Sequence, residues 1–301
     1  MTGEPVIIVA EKGGERIDAY IAVALDLSRS NVQKLIENGA VMVNGKPCKS
    51  NYKLKAGDNV SVEIPEPEDL AAEPENIPLD IVYEDSDIIV INKPRGMVVH
   101  PAAGNYTGTL VNALLYHCDD LSDINGVRRP GIVHRIDKDT TGLIAVAKNN
   151  SAHISLAEQL QDHTMRRVYY AVVEGIISEN GGTVNAPIGR HDNDRKKMSV
   201  NTRVGKPAVT HFEVLERLDN CTLVKCKLET GRTHQIRVHM AYIGHPVTGD
   251  PVYGTKNNRG MSGQALHAGE LTLIHPTKNE SVTFTAPLPE DFEKLLKRLR
   301  R

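Results

Sequence analysis

Gly131-Ile132-Val133-His134-Arg135-Ile136-Asp137-Lys138-Asp139-Thr140-Thr141-Gly142, running straight into Leu143-Ile144-Ala145-Val146-Ala147, decides how the chain is read. The first part packs two carboxylates, three basic side chains and two hydroxyls between short apolar runs, a mixture that a hydrophobic core excludes unless every group is paired. The apolar residues that follow read as a buried strand. The polar residues are therefore expected on a loop at the edge of a sheet, the position from which binding and catalytic groups commonly act.

Outward from that loop, Ile88-Ile89-Val90-Ile91 is a second buried-strand candidate, followed by a turn and a strand in Lys93-Pro94-Arg95-Gly96-Met97-Val98-Val99-His100-Pro101. Arg166 to Gly175 and Leu223 to Leu228 read as further strands, and in the first of them Tyr169 and Tyr170 must point to opposite faces. After Thr230-Gly231-Arg232, Thr233 is placed to cap a short helix that buries Ile236, Met240 and Ile243 and stops at Gly244. Strands and helices mix without a regular strand-helix repeat. The expected class is α+β, with a mixed, largely antiparallel sheet rather than a doubly wound one.

Toward the N-terminus, Ile17, Tyr20, Ile21, Ala24 and Leu25 form a helical stripe within Glu15 to Leu25. Ser28 is placed to cap a second helix, with Val32, Leu35 and Ile36 on one face and Gly39 at its stop. Val41-Met42-Val43 and Val60 to Ile64 read as strands, and Asn44-Gly45 signals a tight turn after the first. Pro65 to Pro78, rich in proline and acid, reads as a tether. The expected organisation is a small domain over 14–64, an acidic Pro-rich linker over 65–79 and a larger domain over 80–301.

At 301 residues, 40% hydrophobic and 25% charged, the chain has ordinary proportions and enough length for one large core plus a small module. The net charge of −2 conceals an asymmetry: 8 Lys and Arg stand against 17 Asp and Glu up to Asp87, and 28 against 21 from Ile88 onward. The acids between Pro65 and Asp87 exclude that segment from phosphate binding, whereas the basic excess of the larger part has the sign a polyanion requires. No apolar run approaches the ~20 residues of a membrane span. Met1 to Ala10 lacks the pattern of a secretory leader, so the expected location is the cytoplasm. Cys48, Cys118, Cys221 and Cys226 match no common zinc spacing and read as reduced packing residues.

The motifs taken together resemble a known family. His134-Arg135-Ile136-Asp137 followed by Lys138 to Leu143 is similar to the signature of the RNA pseudouridine synthases of RluA/RluD type, which act on the ribosomal large subunit. Lys93 to Pro101, the basic-x-Tyr segment Arg167-Val168-Tyr169, and Gly231 to Met240 resemble further motifs of that family, in its order. Arg16-Ile17-Asp18, Ser28-Arg29-Ser30 and Val43-Asn44-Gly45-Lys46 are similar to the S4 RNA-binding domain. The resemblance implies an enzyme that isomerises uridine to pseudouridine in RNA, most of all large-subunit ribosomal RNA, with no cofactor and no metal. It also implies RNA as the partner and a chain acting as a monomer.

By composition alone, Asp137 is either a loop carboxylate paired with Arg135 or Lys138 or a reactive group. The isomerisation needs one ionised carboxylate, as nucleophile or base, in a pocket that retains the detached base. Burial raises a carboxyl pKa, so a nearby cation is required, and an adjacent Arg lowers it by about 1 to 3 units. The resemblance gives the catalytic part to Asp137, implies that Tyr169 stacks on the target base and assists proton transfer, and implies that Arg237 pairs with the aspartate. Arg16, Arg29, Ser30 and Lys34 are implied to face RNA, as is Arg167, which stands where the family often has Lys. His134 and Arg135 belong to the family motif and either contact the phosphate backbone or brace the loop. Asp139 is expected to shape the loop as an Asx-type turn onto the amides of Thr140 to Gly142. His245 to Gly254 reads as scaffold, and Arg190 and Arg195-Lys196-Lys197 as an exposed basic loop.

Two other classes compete with this reading. A non-catalytic, ribosome-associated S4-type RNA-binding protein would keep the basic face but has no use for the set Asp137, Tyr169 and Arg237. A glycoside hydrolase using Asp137 and Asp139 needs opposing carboxylates, which two residues on one loop do not supply. A metal site from His234 and His239 fails on geometry, since five residues at 3.6 per turn set them roughly 140° apart.

Overall fold

The computed structural model describes residues 5–25, 27, 29–63, 72–102, 104–122, 124, 130–191, 194 and 197–300, with the side chains of Ser30 and Asn31 outside that set. Ser28 with its expected cap, Ile64 at the end of the expected strand, the stretch 65–71 of the acidic linker, and Arg195-Lys196 also lie outside the described residues. The chain divides into two compact units, Met1–Asp69 and Leu70–Arg301. Among the described residues no helix is long and apolar enough to cross a membrane.

The first unit runs β1 (Val6–Val9), α1 (Ile17–Ala24), α2 (Arg29–Glu37), β2 (Val41–Val43), β3 (Lys46–Pro47) and β4 (Asn59–Val62). Its strands pair antiparallel in the order β1-β4-β2-β3. Ile17 and Ile21 of α1 meet Val32, Leu35 and Ile36 of α2 over the alternate valines Val41, Val43, Val60 and Val62, so helical and strand periodicities converge on one core. Asn44 and Gly45 both have positive φ, 50° and 76°, which is the two-residue turn their sequence signals. Strand β1 was not expected, because the continuous apolar run Val6–Val9 lacks the alternation of a half-buried strand and is in fact mostly exposed.

The second unit contains β5 (Ile81–Glu84), β6 (Ile88–Lys93), α3 (Leu110–His117), β7 (Thr141–Ala147), α4 (Asn150–Gln161), β8 (Arg166–Glu174), β9 (Gly181–Asn185), β10 (Ile188–Arg190), β11 (Met198–Val200), β12 (Val209–Leu218), β13 (Cys221–Leu228), α5 (Gln235–Tyr242), β14 (Leu266–Ile274), β15 (Ser281–Thr285) and α6 (Glu290–Leu299). The main sheet has the order β5-β6-β7-β14-β8-β13-β12-β9, with β15 also on β14. Its pairings are antiparallel except for β7 against β14, so the sheet is mixed and largely antiparallel, in an α+β arrangement.

Burial on both faces explains the unbroken apolar runs. Ile89, Ile91, Ile144 and Val146 pack under α3, whereas Ile88, Val90, Leu143 and Ala145 pack against Ala152 and Leu156 of α4. The strand expected after the turn at Gly96 does not form. The carbonyls of Val98 and Val99 instead accept from the N–H groups of Leu110 and Val111 at the start of α3, which Thr109 caps. The four cysteines are free thiols.

The parallel β7–β14 junction fixes the polar loop. Gly142 pairs with Ala268 at a φ of 106°, and a Cβ there would lie 2.2 Å from the Ala268 carbonyl oxygen. Only glycine permits this approach, and it brings residues 133–140 to the strand end beside β14.

Candidate active site

The loop before β7 is held from several sides. His134 is buried and its Nε2 accepts the N–H of Ala145 at 3.0 Å, so the ring is neutral and braces the loop. Burial, reinforced by the charge of Arg167, pulls the His134 pKa down to about 3. Of its two expected roles, bracing is the one this geometry serves. Arg135 points outward, and its Nη1 lies 3.5 Å from His100 Nε2.

Beneath the loop, Lys93 is a fully buried side chain whose Nζ donates to the carbonyls of Pro94 (2.8 Å), Met97 (2.8 Å) and Lys138 (3.0 Å). Burial draws its pKa down to about 7 against the pull of Asp139 and Asp137, while three carbonyl acceptors match the three N–H bonds that only the ammonium has. The N–H of Gly96 reaches the same Lys138 carbonyl, and Arg95 Nη1 donates to the carbonyls of Asp139 and Gln264. The expected Asx turn is therefore not what shapes the loop. Among the described residues its carbonyls, not the Asp139 carboxylate, make these bonds, and the N–H of Thr140 donates to the Asp137 carbonyl at 3.1 Å.

Asp137 projects from this cradle with a side-chain exposure of 19%. Its Oδ2 accepts from Arg237 Nη1 at 2.9 Å, and its Oδ1 lies 3.9 Å from His234 Nε2. Arg237 comes from α5, which starts one residue later than expected: its N-cap is His234, in the left-handed region at φ 56°, not Thr233. Gln235 fastens that start. Its Oε1 accepts from the Arg232 N–H and its Nε2 donates to the Val209 carbonyl of β12.

Arg237 is buried between two carboxylates. Nε and Nη2 donate to Asp250 at 2.7 and 2.9 Å, leaving Nη1 for Asp137, and the guanidinium carbon lies 5.2 Å from the centre of the Tyr253 ring. Burial alone would lower the Arg237 pKa, but Asp250 and then Asp137 more than compensate and raise it. Burial likewise opposes ionisation of Asp250. The bonds from Arg237 and from the N–H groups of Val252 and Tyr253 prevail, so its pKa is lowered. The sequence places Asp250 within the scaffold segment His245 to Gly254. Its signal in the sequence, a lone acid between Gly249 and Pro251, is that of an ordinary turn.

Tyr169 is buried on β8 between Cys226 and Ala268 and faces the cleft that Asp137, Arg167, His234 and Arg237 also line. Burial raises its pKa, with Arg167 opposing and Asp137 adding, so the phenol is protonated at neutral pH. Tyr170 points to the other face, where its hydroxyl donates to Glu270 at 2.5 Å. Both ring nitrogens of His239 are engaged elsewhere, by Thr210 and the Ala186 carbonyl.

In the first unit, Arg16 and Arg29 converge on one carboxylate. Asp18, itself fully buried, accepts from Arg16 Nε (3.0 Å) and Nη2 (2.9 Å), from Arg29 Nη2 (3.1 Å) and from Gln33 Nε2 (3.0 Å). Both arginines remain about half exposed, and Lys34 is exposed on α2.

Residues 87–242 match the model of the RNA pseudouridylate synthase family and residues 15–60 that of the S4 domain. The chain is 59% identical to YlyB of Bacillus subtilis (strain 168), described as an uncharacterized RNA pseudouridine synthase, over 97% of this chain and 96% of that one. It is 47% identical to ribosomal large subunit pseudouridine synthase D of Zymomonas mobilis subsp. mobilis, over 99% of this chain and 98% of that one. The solved structure of human RNA pseudouridylate synthase domain containing 1 aligns with a TM-score of 0.58 and 28% identity, covering 78% of this chain and 97% of that one. A shared fold, a family match across the cleft-bearing segments and full-length relatives at this identity lead to one conclusion: the chain belongs to the RNA pseudouridylate synthase family and is an RNA pseudouridine synthase carrying an S4 domain.

Proposed function

We propose that the protein isomerises specific uridines of large-subunit ribosomal RNA, or of its precursor particle, with Asp137 as the reactive carboxylate and without a cofactor. One observation carries this reading: the Asp137 carboxylate is held 2.9 Å from Arg237 in the cleft that Tyr169 also lines. The reaction breaks the bond from ribose C1′ to base N1, turns the base and joins C1′ to C5. N1 ends with a proton and C5 loses one, so the conversion is redox-neutral and a single positioned carboxylate suffices. Arg237 Nη1 donates to Asp137 Oδ2, which orients the carboxylate and offsets its charge in the cleft. Tyr169 offers the flipped base a ring, and such stacking is worth about 1 to 3 kcal/mol, comparable with the few kcal/mol needed to unstack it.

Arg16, Arg29, Ser30 and Lys34 hold RNA from the module at 14–64, tethered through 65–79 to a catalytic domain at 80–301, in a monomeric cytoplasmic enzyme. The large-subunit substrate is supported by the name of the Zymomonas relative. The test is release of tritium from 5-tritiated uridine in unmodified large-subunit transcript. Stoichiometric release at a small number of uridines is expected, and release from transfer RNA alone would overturn the substrate assignment.

A further inference from the structure

Arg167 enters β8 two residues before Tyr169 with an exposure of only 8%, yet among the described residues no carboxylate pairs with it and its Nε has no hydrogen-bond partner. A buried guanidinium left unanswered is strongly destabilising, so a fold that retains one has a use for the charge. Space is reserved for it. A Cβ on Gly231 would lie 2.6 Å from Arg167 Nη1, so the turn before α5 lies close against the end of the side chain, which a larger residue there would push aside. His134, whose Nε2 is occupied by the Ala145 N–H, presents a second buried donor without a partner, its Nδ1.

Arg167 and Leu228 line both the cleft of Asp137 and a second recess bounded by Arg166, Lys225, Lys227 and Glu270. In that recess Glu270 neutralises Lys225 at 3.0 Å, which leaves the positive charge of Arg166 and Lys227. The unanswered cation therefore stands where two basic recesses meet. A strand whose base enters the first would carry its backbone across it.

We propose that Arg167 is the ligand for a backbone phosphate of the bound RNA, next to the nucleotide whose base occupies the cleft. This rests on the uridine-isomerase reading above, and its test separates the two. Arg167→Lys keeps the charge and loses the planar fork, whereas Arg167→Met removes both. Thermal unfolding of the full chain is compared in inorganic phosphate and in chloride at matched ionic strength. Wild type and R167K gain in melting temperature from phosphate, R167M gains less, and R167M melts higher than wild type in chloride because an uncompensated charge has gone. In tritium release, R167M raises KM by roughly tenfold or more, the size of one lost charge-assisted contact, with a smaller effect on kcat.

Equal phosphate gains in all three proteins, or a lower melting temperature for R167M in chloride, would overturn the phosphate assignment. So would a loss confined to kcat, since Arg167 would then be acting on Tyr169 or Asp137. If wild type releases no tritium, the isomerase reading fails, and the unfolding comparison still decides what Arg167 binds.

Discussion

Asp250 fixes what Arg237 can do. With Nε and Nη2 committed to Asp250, the guanidinium plane is set and Nη1 has one place to point, the Asp137 carboxylate. The pair is buried, so removing one partner leaves an uncompensated charge. Asp250→Asn is expected to cost roughly 3 kcal/mol of stability, eased by the remaining contact to Asp137, and to lower turnover. Because the folded pKa of Asp250 is depressed, its contribution is fully present above the ordinary carboxylate value of about 4 and is lost as pH falls through the folded value. Urea unfolding should therefore give a wild-type-to-Asn difference that is constant from pH 7 to about 5 and shrinks below about 4. A difference independent of pH would contradict the pairing. The position of Arg237, one turn beyond His234, was legible from helical spacing. Asp250 was not, because a long-range ion pair leaves no local pattern.

At the scale of elements, the reactive loop is presented by a crowded junction. Lys93, Arg95 and Gly96 grip the carbonyls of Lys138 and Asp139 from one side, and Gly142 closes the parallel contact to β14 on the other. Gly142→Ala combines a positive φ with a Cβ 2.2 Å from the Ala268 oxygen, so it should cost roughly 3 kcal/mol or more by urea unfolding and displace the loop. A loss below about 0.5 kcal/mol, the range of a neutral surface change, would mean the junction is not tight. The buried strands β6 and β7 were legible because both their faces are apolar. The fate of Val98-Val99 was not, since their carbonyls serve the start of α3 and a β-branched pair reads the same either way. Lys93 opens a segment that reads as a turn, and nothing in its neighbours announces three carbonyl acceptors.

At the scale of the molecule, affinity and chemistry are separable. RNA recognition in the proposed mechanism is spread over arginines and lysines of both units, whereas bond breaking falls to a single side chain at the bottom of one cleft. The charge asymmetry between the segment up to Asp87 and the larger part after it, and the α+β class, were legible from composition and patterning, because both are sums over many residues. The convergence of loop, β8 and α5 on one point was legible only through the family resemblance, because patterning alone does not give sheet order. The most direct measurement is turnover and RNA binding of Asp137→Asn in the full chain on large-subunit transcript. Turnover should fall by roughly a thousandfold or more, while affinity stays within about threefold because phosphate contacts dominate it. A variant that kept a tenth of wild-type turnover, or that lost binding in proportion to activity, would contradict Asp137 as the reacting group.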